Sequence, residues 1–96
     1  MKHLTEQDML DIVEVNGMKI EDFNWKPPSV QRAAIMQNPW AIQHIYVLSE
    51  EMQLLAIRLK HAVFFKIKMP TKSAVDLYNG IVSSNKDMVA EYMEKT

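Results

Sequence analysis

Cationic and aromatic side chains between residues 58 and 72 are the groups in this sequence best placed to do chemistry. Arg58, Lys60, Lys66, Lys68 and Lys72 fall there without a carboxylate among them. His61, Phe64 and Phe65 lie in the same stretch, with Trp40 and Tyr46 upstream. The chemistry open to such a set is recognition: cations attract an anionic surface, and aromatic rings anchor a contact. Other chemistries lack their parts. The absence of cysteine excludes a thiol nucleophile, a zinc–thiolate site and a disulfide-stapled scaffold. Two glycines cannot build a GxGxxG or P-loop cradle for phosphate. His3, His44 and His61 stand in no HxxxH or HExxH spacing and read as exposed polar positions. The pairs Glu21-Asp22 and Glu50-Glu51 would need a raised pKa in a dry pocket to act as acid and base. Glu50-Glu51 instead follows Ser49, where acids suit the start of a helix. Ser29, Ser49, Ser73, Ser83 and Ser84 have no GxSxG context and suit caps and turns. Neither an enzyme nor a cofactor or metal is therefore expected; a small hydrolase or nucleotide-modifying enzyme is the least favoured alternative.

Charge is segregated along the chain. Residues 1–24 carry a net −4, residues 25–57 balance, residues 58–72 carry +5 and residues 73–96 carry −2. The basic stretch fits an acidic protein partner. It also fits the acidic N-terminal stretch of a second copy, which would make a homo-oligomer. A nucleic-acid-binding module using residues 58–72 is the alternative, and a pI of about 6.3 argues against it. The plainer reading is that these charges only solvate helix faces. At 96 residues, 48% hydrophobic and 24% charged, the chain has the composition of a single globular domain spanning 1–96. No apolar run approaches the ~18 residues of a membrane span, and MKHLTEQDML lacks a signal-peptide core. No membrane partner and a cytoplasmic location are expected.

The elements that must position these residues come from an internal repeat. Shifted by 22, MLDIVEVNGMKIEDF falls on QRAAIMQNPWAIQHI, and that on QLLAIRLKHAVFFKI. Ile12, Ala34 and Ala56 then share a column, as do Val13, Ile35 and Ile57. Ile20, Ile42 and Phe64 form a third column, and Phe23, Ile45 and Ile67 a fourth. The units run approximately 8–29, 30–51 and 52–73, followed by a degraded terminal unit 74–96. Each reads as helix–turn–helix. Thr5, Ser29, Ser49 and Thr71 stand where N-caps belong, and Thr5-Glu6-Gln7-Asp8 resembles a capping box. Asn16-Gly17 should end the first helix as a C-cap, whereas Pro39 suits the first turn of a new helix. Asn24-Trp25-Lys26-Pro27-Pro28 is a connection. The run AVFFKIKM could be a strand, but its match to AIQHI favours helix. Asn79-Gly80 should turn the chain again, and Ser84-Asn85-Lys86-Asp87 should cap a terminal helix with Met88, Val89, Tyr92 and Met93 on one apolar face. Short helices are marginal alone, so they must stack, with the alanines permitting close approach. The fold expected is an all-α, solenoid-like array of seven or eight brief helices with a C-terminal capping helix. Phe64 should be buried.

The segment VQRAAIMQNPWAIQHIYVLSEEMQLLAI resembles a family of short helical repeats of unknown function, common in tailed-phage and bacterial proteins. The likeness is carried by Val30, Gln31, Ala34, Ile35, Asn38, Pro39, Trp40, Ala41, Ile42 and Ile45. Unit one shares it at Ile12, Val13, Asn16, Gly17, Ile20 and Phe23. Unit three keeps Gln53, Ala56, Ile57 and Ile67 but has Lys60-His61 in place of Asn-Pro. The resemblance implies a helical array, and small free-standing copies imply a phage accessory protein acting in the host cell cytoplasm. With no catalytic set present, the expected task is to bind a host or phage protein and inhibit or modulate it by covering a functional surface. Departures from the repeat mark where function imposes its own demand. They gather in unit three. Arg58, Lys60, His61, Phe65, Lys66 and Lys68 are accordingly the expected contact residues, with Trp40 and Tyr46 beside them. Phe65 replaces a polar Gln43, and suits either contact with the fourth unit or an exposed patch. Eight methionines would suit an adaptable surface, or simply fill gaps between helices.

Overall fold

A computed structural model describes residues 4–94, with side chains of the last helix as far as Ser83. Three ten-residue α-helices, α1 (Glu6–Val15), α2 (Pro28–Gln37) and α3 (Glu50–Leu59), are each followed by a six-residue 3-10 helix. The 3-10 helices span Gly17–Asp22, Pro39–His44 and His61–Lys66. A 23-residue helix, α4 (Lys72–Glu94), is the last element of the described residues. The fold is all-α, and no strand occurs among the described residues, AVFFKIKM included. Both helix types recur at intervals of 22 residues, and each α-helix with its 3-10 helix is called a unit below.

Side-chain caps start most of these helices. The Thr5 hydroxyl accepts from the Asp8 N–H at 3.1 Å, and the Asp8 carboxylate accepts from the Thr5 N–H at 3.0 Å. Ser49 accepts from the Met52 N–H at 3.3 Å, and Thr71 from the Ala74 N–H at 3.2 Å. Ser29 does not cap α2. Pro27 occupies the cap position, and Pro28 opens the helix with its fixed φ and missing N–H. Ser29 falls inside the first turn, and its hydroxyl donates to the Glu6 carboxylate of α1.

The joints between α and 3-10 helices work differently from a left-handed C-cap. No described residue has a positive φ. Asn16, Asn38 and Lys60 are all extended, with φ of −149°, −153° and −157°. The Asn16 and Asn38 side chains accept from Met18 and Trp40 N–H groups, each at 3.1 Å, and so restart the chain as a 3-10 helix. Lys60 has no such acceptor, yet its backbone is the same. Buried Val63 and Ile67 hold that turn. Three residues per turn put residues three apart on one face, which directs Ile20 with Phe23 and Ile42 with Ile45 into the core.

Val13, Ile35 and Ile57 are wholly buried, as are Ala34 and Ala56. Ile12, in the first unit, is only partly covered. Each α-helix packs on the next one, α1 on α2, α2 on α3 and α3 on α4, and the 3-10 helices follow suit. The result is elongated: 63 × 26 × 15 Å, with a radius of gyration of 16.3 Å. A sphere-like chain of this length would have about 12.5 Å. Because Ala56 is wholly buried, Ala56→Leu should cost about 1–3 kcal/mol, read as a lowered midpoint in urea.

The last unit departs from expectation. Asn79-Gly80 and Ser84–Asp87 lie inside α4, which runs through them unbroken. A helical glycine costs only about 1 kcal/mol. Ala74, Leu77, Tyr78 and Ile81 pack that helix on the core and outweigh the cost. The C-terminal helix is thus a single long α4 rather than a separate one starting at Ser84, and it packs on α3 and the third 3-10 helix at the end of the stack. The side chains of Met88, Val89, Tyr92 and Met93 lie outside the described residues. Phe64 is half-buried rather than buried: Val63 takes the interior slot, and the larger Phe64 ring covers α4. Among the described residues, no helix is long and apolar enough to cross a membrane.

Candidate functional site

The loops that follow the second and third 3-10 helices face each other across a groove of about 470 Å³. Ile45 and Ile67 close their units at its floor, and the chain then has to cross to the next α-helix in only a few residues. Tyr46, Val47 and Leu48 form one wall, and Lys66, Lys68 and Met69 the other. Gln53 braces the floor. Its amide donates to the Leu48 carbonyl at 3.0 Å and to the Met69 carbonyl at 3.5 Å, and accepts from the Thr71 N–H at 2.9 Å. One buried side chain thereby holds both walls. Gln31 repeats part of this device, donating to the Lys26 carbonyl at 2.7 Å.

The rim is apolar and open. Tyr46 is 91% exposed, Met69 85% and Val47 77%. The Lys68 ammonium sits 5.9 Å from the Tyr46 ring centre, a contact between residues 22 apart in sequence and adjacent in space. Such exposed cation–π pairs contribute about 0.5–1 kcal/mol. Among the described residues, neither Lys66 nor Lys68 takes part in an ion pair. Among the described residues, no carboxylate lines the groove. Gln53 spends its amide on the loop backbone, so few polar groups are left to orient a small molecule.

Of the expected contact residues, the groove brings together Tyr46, Lys66 and Lys68. Arg58, in the last turn of α3, and Lys60, at the joint after it, are exposed but do not line it. His61 is exposed at the start of the third 3-10 helix, its ring 6.3 Å from Tyr78. Phe65 resolves both ways at once. Its ring meets Tyr78 of α4 edge-on at 5.4 Å, yet it is 73% exposed. Phe64 stacks on the same Tyr78 at 4.2 Å. Trp40 is half-buried against the core, away from the groove. Across the units, His44 lies 3.7 Å from the Glu21 carboxylate, and Arg32 pairs with Glu51. These are partly exposed contacts of small energetic weight. Among the described residues, no three His, Asp or Glu side chains converge as metal ligands.

Val47, and Met69 as a lining residue, escape the sequence reading. The signal was available in the register: Trp25, Val47 and Met69 form a column with 22-residue spacing, each two residues past a buried closing residue. All three are exposed, so the loops present a row of apolar side chains along one edge. In comparisons with known proteins, no family model matches the chain, and no curated protein or solved structure matches it either.

Proposed function

We propose that this protein is a non-enzymatic binding module that covers a surface of a partner protein with the loop edge of its second and third units. The observation that carries the reading is the groove: an exposed aromatic and aliphatic rim beside two lysines without a carboxylate partner among the described residues. Isolated exposed hydrophobes need no explanation, but a contiguous apolar rim around a concave surface is typical of a contact site. The helical stack beneath it serves as a rigid platform, so inhibition or modulation of the partner would be steric. The likeness of the repeat units to a phage and bacterial family supports a phage-encoded accessory role, with a host protein as partner and the host cytoplasm as its place of action.

A photo-crosslinking residue at Met69, which is exposed and bears no packing role, tests this reading. A crosslink to a distinct protein in host lysate is expected from position 69. None is expected from a probe at exposed Lys19, on the first 3-10 helix. Crosslinks only to a second copy of the chain would replace the reading with self-association. Nucleic acid is the remaining alternative. Electrophoretic shift should detect no DNA or RNA binding at physiological salt. A tight shift weakening with salt at a log–log slope of up to about −4.5 would make the five cations of residues 58–72 a nucleic-acid surface.

A further inference from the structure

We infer that the groove between the two loops takes a short acidic–apolar peptide segment of the partner: one large apolar side chain for the cleft, flanked by carboxylates for Lys66 and Lys68. This rests on the reading of the loop edge as a protein-binding surface and specifies what that surface holds. Three observations lead to it. The cleft volume of about 470 Å³ accommodates a few side chains of a short segment but not a folded domain, so the occupant must project from its parent. The lining is largely apolar, from Ile45 at the floor and Val47 and Met69 on the walls, with Tyr46 offering a ring face. The charge at the rim has a single sign. Lys66 and Lys68 are the charged lining residues, and they sit in a stretch, 58–72, that contains no carboxylate to neutralise them. A basic segment would meet uncompensated repulsion there, and a purely apolar one would leave both ammonium groups partly desolvated. Carboxylates flanking an apolar anchor satisfy both walls together.

The arrangement also explains the Lys68–Tyr46 contact. It places an ammonium over an aromatic ring at the mouth of the cleft, where an entering carboxylate can pair with the cation without first drawing it out of solvent. Nucleic acid would use the same cations but has no apolar side chain for the cleft.

A random heptapeptide display library selected on the immobilised full chain tests the inference, with the Lys66→Glu/Lys68→Glu variant for counter-selection. Circular dichroism of the variant first establishes that it is folded; both lysines are exposed, so it should be. Enriched peptides should share at least one large aliphatic or aromatic residue with two or more neighbouring carboxylates. By fluorescence anisotropy, the charge-reversed variant should bind the enriched peptide at least about tenfold more weakly. Enrichment without acidic bias, no enrichment, or equal binding by the folded variant would overturn the inference. Should the peptide result fail while the Met69 crosslink to a distinct protein persists, the binding module stands and only its occupant is wrong. If both fail, both fall.

Discussion

Gly17→Ala should destabilise the protein by about 1–3 kcal/mol, whereas Gly80→Ala should stabilise it by about 0.5–1 kcal/mol. The two substitutions are chemically identical and differ only in what surrounds them. A methyl group at Gly17 would stand 2.3 Å from the Ala34 carbonyl oxygen and 3.1 Å from the Ala34 carbonyl carbon. That obstacle is backbone of the neighbouring helix, so relief requires α2 to move away. Separation would also break the 2.6 Å bond in which the Gly17 N–H donates to the Gln37 side chain. At Gly80, nothing lies within 4 Å of the added carbon, and alanine simply lowers the entropy cost of the helix. Thermal melts followed by circular dichroism check both signs. For a chain of this size, 1 kcal/mol moves Tm by about 4–8 °C, so the two variants should melt well apart. Equal melting temperatures would mean that Gly17 does not touch α2 as described.

Gln37 is itself fitted to its neighbour. Its counterpart one repeat later is Leu59, and the residue in register with Gly17 is Pro39, which has no N–H to donate. The polar side chain is present where a backbone donor needs it and absent where none exists.

Gln53→Leu should cost about 2–4 kcal/mol, and Gln31→Leu about 1 kcal/mol. Gln53 is 3% exposed, and its loss would deprive the Leu48 and Met69 carbonyls and the Thr71 N–H of their shared side-chain partner. Gln31 is half-buried and serves one carbonyl, which water can reach in its place. Urea unfolding gives the ranking. Amide hydrogen exchange supplies a local readout: the Thr71 amide should lose protection in Gln53→Leu beyond the fall in global stability. Because Gln53 ties both loops together, the same variant should loosen the groove. Unchanged Thr71 exchange would show that the loops hold their shape without it.

Much of this architecture was legible before any coordinates. The columns through Val13, Ile35 and Ile57 and through Phe23, Ile45 and Ile67 are core columns because burial demands an apolar residue at the same place in every unit. The 3-10 character of the second helix in each unit was not legible: Ile20 and Phe23, like Ile42 and Ile45, are three apart, a spacing that α-helices and 3-10 helices share. The length of α4 was not read. Asn79-Gly80 looks like punctuation when judged locally, but Ala74, Leu77, Tyr78 and Ile81 already follow the i, i+3, i+4, i+7 pattern of one helix face. Tertiary packing decides against the local signal there. The groove was only partly visible. Lys66, Lys68 and Tyr46 stand out by type, whereas Val47 is an ordinary aliphatic residue whose exposure follows from where the loop crosses, not from its neighbours in sequence. Arg58 and Lys60 share the charge run but lie off the groove, because a run in sequence need not converge once a helix end and a tight turn intervene.

The most direct test of the groove as the working surface is an amide chemical-shift map of the isotope-labelled full chain, titrated with the peptide selected on it. Shifts should concentrate in residues 45–48 and 66–71, with the Gln53 side-chain amide among them, while α1 stays unmoved. Shifts centred on α1, or on the exposed face around Arg58 and Lys60, would contradict it.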